Sequence, residues 1–180
     1  MTVEVDLIED FASAVDEAKA YLRIEGTEED ASIAGLIGAA TGLCEAFLGQ
    51  LLIARTVRET IPARAEWRRL GQTPARAIAG VEGLPAEGAA FALPVDAYAV
   101  DIDANGDGWV RVIQPGAAGR AIVSFEAGMA ADWNGVPEPV RQGILRLVAH
   151  LFSHRDAAGD QGPPAAVAAL WRPWRRMRLK

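Results

Sequence analysis

The hydrophobic pattern changes period twice along the chain. Up to about residue 49, apolar positions recur every three or four residues, the spacing of amphipathic helices. S-A-V-D at 13–16 offers Ser13 as a cap with Asp16 reaching back, ahead of AKAYLRI. After a short EG linker, Thr27 opens a second helix with Glu28, Glu29 and Asp30 crowding its positive N-terminal end. Ile33, Leu36, Ile37, Ala40, Leu43, Cys44 and Phe47 make its apolar face, and Gly49 is its stop. From Arg55 to about Gly128 the pattern alternates. TVRETI, FALPVDAYAVDID, WVRVIQ and RAIVSFEAG read as short strands, with GLPAEGAA and QPGAAG as turns.

Helical spacing then returns. Pro137 and Pro139 start a helix whose face is Val140, Ile144, Leu147, Val148 and Leu151, running to about His154. DAAGDQGPP reads as a loop. A last helix begins at Pro164 with Val167, Leu170, Trp171 and Trp174 on one stripe, and Pro173 should kink or restart it near Trp171. The expected fold class is α+β: an N-terminal helix pair, an antiparallel β-rich middle, and C-terminal helices ending in a protruding or kinked segment. The strands are antiparallel because their connections are too short for crossovers. The expected organisation is a single domain over 1–180, helical over 1–50, β-rich over 51–130, a helix over 131–156 and a docking helix or tail over 163–180.

The second helix carries a second stripe. Gly35, Ala39, Gly42 and Ala46 are all small, although an interior glycine costs up to about 1 kcal/mol relative to alanine. Close packing there would offset that cost, so the helix reads as gripped on two sides, the second by another subunit. A small-residue helix within one core is the alternative.

Composition and charge narrow the class. The 180 residues are 51% hydrophobic and 23% charged, a globular balance with enough chain to bury a core. No apolar run is expected to approach the roughly 20 residues of a membrane span. The acidic start, MTVEVDLIED, is unlike a secretory signal, and a lone cysteine, Cys44, excludes an intrachain disulfide. The net charge of −6 is unevenly spread. Residues 1–30 hold ten acids against Lys19 and Arg23, whereas RPWRRMRLK holds five bases and no acid. Such polarity suits head-to-tail assembly or docking; solvated termini are the alternative.

Candidate chemistry is sparse. DIDANGDGW spaces Asp101, Asp103, Asn105 and Asp107 like the start of a calcium loop, with Gly106 at the turn. Position twelve of that loop, which needs a bidentate Glu, is Val112, and the flanks alternate as strands. A hairpin is the simpler reading, since Asn105-Gly106 and Asp107-Gly108 tolerate positive φ; a calcium-binding module through residues 101–107 is the rival. His150 and His154 share a helix face, yet the chain offers no further histidine to complete a site. Cys44 sits in an apolar run and reads as a core residue. No nucleophile elbow, P-loop or dinucleotide fingerprint occurs, so no enzyme activity, cofactor or metal is expected. A small hydrolase or nuclease would need a carboxylate cluster that sequence does not reveal.

The tail, LWRPWRRMRLK, stands out. Trp171, Arg172, Trp174, Arg175, Arg176, Met177, Arg178 and Leu179 have the composition of an interface hot spot. Arginines and tryptophans also suit nucleic acid, but a pI near 5.0 favours a protein partner. The alternative is a tail folded back on its own core with Trp171 and Trp174 buried.

DEAKAYLRIEGTEEDASIAGLIGAATGLCEAFLG, VPEPVRQGILRLVAHLFSHRD and PPAAVAALWRPWRRMRL together resemble the head–tail connector (adaptor) proteins of long-tailed bacteriophages and gene transfer agents. The likeness covers both helical ends, roughly half the chain. It rests on E-A-K-x-x-L-R-I, T-x-x-D-x-x-I, P-x-x-V-R-Q-x-I-L and the closing R-M-R-L. Where family members often have Thr-Gly-Arg, this chain has Leu48-Gly49-Gln50, so that arginine has no counterpart here. The resemblance implies a structural protein of the particle neck, assembled in the bacterial cytoplasm. It implies a homo-oligomeric ring, a dodecamer in the particle, beneath the portal protein and above a stopper or next neck protein. DNA would pass through its channel without specific binding. The portal-binding residues would lie between Trp171 and Leu179, and neighbouring subunits would pack on Gly35, Ala39, Gly42 and Ala46. A stopper is the alternative within the neck.

Overall fold

A computed structural model gives the fold, and it describes residues 2–8, 11–154 and 162–176. The helical ends form one compact unit, Ile8–Ile53 with Ala130–Lys180, and the alternating middle forms a second, Met1–Leu7 with Ala54–Met129.

In the helical unit, α1 spans Ala12–Leu22 and α2 spans Asp30–Leu48. Ser13 does not cap α1; it lies inside the helix, which starts after Phe11 without a side-chain cap. Nor does Thr27 open α2. Residues 27–29 form a turn, closed by the Asp30 N–H donating to the Thr27 carbonyl at 3.2 Å, and α2 begins after it. Gly49 ends α2 as expected, in the left-handed region at φ 70°, with its N–H on the Glu45 carbonyl at 2.8 Å. The buried side of α2 is Ile33, Ile37, Ala40, Thr41, Cys44 and Leu48. Leu36 and Phe47 are half-buried and Leu43 is exposed, so the apolar face lies closer to Thr41 and Leu48 than the periodicity placed it. By length and composition α2 is apolar enough to cross a membrane, against the expectation that no such run exists. Here it serves as a core helix, packed by α1 and by two later helices.

Those are α3, Glu138–Ser153, and α4, Ala165–Trp171. Pro137 precedes α3 and Pro139 lies in its first turn, where a missing N–H leaves no bond unmade. Val140, Gly143, Ile144, Leu145, Leu147 and Val148 face the core. Pro164 caps α4, and after Trp171 the chain tightens into a single 3-10 turn, Arg172–Trp174, the restart that Pro173 imposes. A polar strap ties α1 to α3: the Trp133 indole N–H donates to Glu17 at 2.7 Å, and Arg141 reaches both Glu17 and Glu138. The Arg141 and Gln142 hydrogen bonds hold the Glu138 carboxyl below its ordinary range. Most of the loop after α3, residues 155–161, lies outside the described residues.

The second unit is built from β1 (Thr2–Val5), β2 (Arg55–Pro62), β3 (Arg68–Arg69), β4 (Ala75–Leu84), β5 (Phe91–Ala92), β6 (Tyr98–Ile102), β7 (Gly108–Val112) and β8 (Arg120–Ala127). They pair antiparallel in two sheets, ordered β1-β2-β8-β4-β5 and β3-β7-β6. Alternate residues Val57, Ile61, Val81, Val110, Val112, Val123 and Phe125 fill the core. The class is therefore α+β, with the expected succession of elements. Several details differ from the sequence reading, β3 being one that was not read there. Residues 2–5 are a strand within a segment expected to be helical, FALPVDAYAVDID is divided by a 3-10 turn at Val95–Ala97, and β4 was not anticipated.

Candidate functional site

The carboxy-terminal segment is fixed at its base and open at its surface. Trp171 is wholly buried, as the alternative of a tail folded back on its own core has it for this residue, whereas Trp174 is not. Its N–H donates to the Val140 carbonyl at 3.2 Å, and its ring lies 5.8 Å from that of Phe47. Gly143 of α3 makes room for it: a Cβ there would stand 2.1 Å from the indole nitrogen. The following residues are clamped to the end of α2. The Gln50 side-chain N–H donates to the Trp174 carbonyl at 2.7 Å, and the Arg176 N–H donates to the Leu48 carbonyl at 2.9 Å. The second bond satisfies one of the carbonyls that a helix terminus leaves without an internal partner. Arg175 lies 5.5 Å over Phe47.

Arg172, Pro173, Trp174 and Arg175 remain on the outside, with Trp174 36% exposed. Arg176 is half-buried. Met177, Arg178 and Leu179 lie outside the described residues. The segment thus neither folds back completely nor projects freely. It presents arginines and one tryptophan from an anchored turn, the arrangement in which little ordering entropy remains to be lost on docking.

The small-residue stripe is also on the outside. Gly35, Ala39, Gly42 and Ala46 are exposed, and Leu43 beside them is 46% exposed. A Cβ added at Gly35 or Gly42 would meet nothing within 4 Å. Among the described residues, then, no close packing accounts for these glycines.

The acidic turn connects β6 to β7 as a hairpin. Asp103 accepts the N–H groups of Asn105 at 2.8 Å and Asp107 at 3.0 Å through one oxygen, and the Trp109 indole N–H at 3.1 Å through the other. Asp107 accepts the Thr73 hydroxyl at 3.0 Å and faces Arg69 at 3.5 Å. Gly106 takes φ 74°, the conformation for which the turn needs glycine. These carboxylates brace the hairpin rather than converge on an empty centre. Among the described residues no group of three or more His, Cys, Asp or Glu is placed to hold a metal. His150 and His154 stack at 4.6 Å, and the second ring also meets the His150 carbonyl at 3.0 Å. Cys44 is buried, and desolvation, with Glu45 adding to it, raises its thiol far above the ordinary range, so it stays protonated and unreactive.

Sequence reasoning missed Phe47, Gln50, Val140 and Gly143 as the seat of the tail. Gly143 was the readable signal: a glycine in the middle of an apolar helix face marks a close approach. Gln50 carried none, since its role depends on where the chain returns from far along the sequence.

No protein-family model matches the chain, and no curated protein matches it. Solved structures do. A chain in the neck of an empty gene transfer agent particle, computed with C6 symmetry, matches with a TM-score of 0.80 at 22% identity, over 100% of this chain and 98% of that one. A chain in the virion of a native gene transfer agent particle matches at 0.74 and 23% identity, over 100% and 98%. A chain in the neck of a native particle, computed with C12 symmetry, matches at 0.74 and 22%, over 98% and 97%. The likeness at these identities is one of fold, and it runs from end to end in both partners.

Proposed function

We propose that this chain is a structural neck protein of a gene transfer agent or phage particle, an adaptor that forms a ring below the portal and extends the DNA channel. The end-to-end fold match to particle-neck chains carries the reading. The tail supports the adaptor role over the stopper. An anchored turn exposing Arg172, Trp174 and Arg175 is suited to grip a protein surface, and the described residues show no catalytic convergence to compete with it. Arg176 and, beyond the described residues, Met177, Arg178 and Leu179 extend the portal-binding segment. Trp171 belongs to it as the anchor beneath. Neighbouring copies pack on Gly35, Ala39, Gly42 and Ala46, and the next neck protein docks on the assembled ring.

The test is assembly with the portal protein of its own particle. Removing residues 170–180 would also remove the Trp171 anchor, so the informative variant is the full chain carrying Arg172→Glu, Trp174→Ala and Arg175→Glu. This variant should keep its thermal midpoint and circular dichroism while losing portal binding in a pull-down and by electron microscopy. Unchanged binding would reject the tail assignment. Binding by the wild type only after another neck protein has been added would identify a stopper instead.

A further inference from the structure

The strand unit holds a second exposed aromatic residue in a formed setting. A cavity of about 380 Å³ lies beside Trp67, with Ile61, Pro62 and Val110 as its apolar floor and Arg64, Arg68 and Glu66 on its rim. The Arg111 guanidinium covers the Trp67 ring at 4.8 Å from the centroid, yet the side chain is still 45% exposed. Such a site fits a side chain with a hydrocarbon stem and a carboxylate end. The stem lies on the indole and floor, and the carboxylate meets the planar donors of arginine.

We propose that this socket receives the acidic α1–α2 connection, Glu25 to Glu29, of a neighbouring copy. The inference rests on the ring reading above. Residues 1–30 carry ten acids against two bases, and Lys19 is already held by Asp30 at 2.7 Å. Glu25 and Glu28 stand exposed on either side of Gly26, whose φ of 91° makes a sharp turn between them. A cyclic ring needs two different, complementary patches on each copy, because its contacts are head-to-tail. An arginine-rimmed socket and an acidic loop are such a pair. DNA phosphate is the competing occupant for the same arginines, and the experiment separates the two.

The experiment uses two full-length charge reversals, Arg64→Glu with Arg68→Glu, and Glu25→Arg with Glu28→Arg. Ring formation on the portal is read by electron microscopy and sedimentation. Each reversal alone places like charges together and should lower the assembled fraction on the order of ten-fold or more. An equal mixture of the two proteins restores a complementary pair at every junction and should recover rings. Normal assembly by both single reversals overturns the proposal and leaves the ring reading standing, as does a mixture of folded variants that fails to recover. Rings that persist while binding to duplex DNA is lost in a gel shift assign the socket to nucleic acid and also overturn it. A wild type that forms no ring on its portal removes the ring reading and this inference with it.

Discussion

At the scale of single residues, the decisive fit is Trp171 against Gly143. A tryptophan indole is the largest side chain this core holds, and it is admitted only because α3 presents a hydrogen where other residues carry a Cβ. Gly143→Ala would drive a methyl group to 2.1 Å from the indole nitrogen, which flexible rearrangement cannot absorb because Trp171 is also tied to the Val140 carbonyl. Overpacking of this kind should destabilise the chain by about 1–3 kcal/mol, although alanine is intrinsically the better helix former. Urea unfolding measures it; a variant as stable as the wild type would show that the indole is not seated as described. The sequence made the tail's composition plain but not its division of labour. Trp171 and Trp174 look equivalent on a helical stripe, and only the turn forced by Pro173 separates a buried anchor from an exposed contact.

At the scale of elements, strong periodicity was legible and broken periodicity was not. α3 announces itself through its prolines and its regular apolar face, and β2 and β8 through clean alternation. β4 escaped because its pairing with β8 slips between Ala75 and Ala77 and again between Ile78 and Gly80. Each bulge shifts the inward-facing set by a residue, so ARAIAGVEGL never alternates long enough to be recognised. β1 escaped because four residues are too few to show a period. The boundaries of α1 and α2 moved because Ser13 and Thr27 look like caps but the backbone bonds start elsewhere. The small-residue stripe of α2, by contrast, is an element-level statement that the folded chain sharpens. Gly35 and Gly42 have open space where a Cβ would go. Replacing either by alanine should therefore stabilise the isolated chain by about 0.5–1 kcal/mol, or roughly 1–4 °C in Tm. If copies pack on this face, Gly42→Leu should preserve that fold yet block the ring, since a larger side chain would hold the neighbouring backbone away. Intact rings from Gly42→Leu, seen by electron microscopy, would free the face from any role in assembly.

At the scale of the whole molecule, the functional idea is that a partner-binding end is carried by a rigid seat rather than by a loose arm. The seat consists of Leu48, Gly49 and Gln50. Gln50 is buried and reaches the Trp174 carbonyl, while the Leu48 carbonyl takes the Arg176 N–H. Gln50→Ala removes the first bond and leaves the second, together with the buried Trp171. Loss of one neutral hydrogen bond is worth about 0.5–1.5 kcal/mol, too little to unfold the chain but enough to release the segment after Trp171 more often. Limited trypsin digestion should then cut after Arg175 or Arg176 several-fold faster in Gln50→Ala, with the thermal midpoint lowered by only a few degrees. Portal binding should weaken in step, because the segment must be ordered again on contact. A Gln50→Ala chain digested at the wild-type rate would mean that Trp171 and the Arg176 bond suffice to hold the tail. Faster digestion with undiminished portal binding would separate the rigidity of the seat from the grip of the arginines.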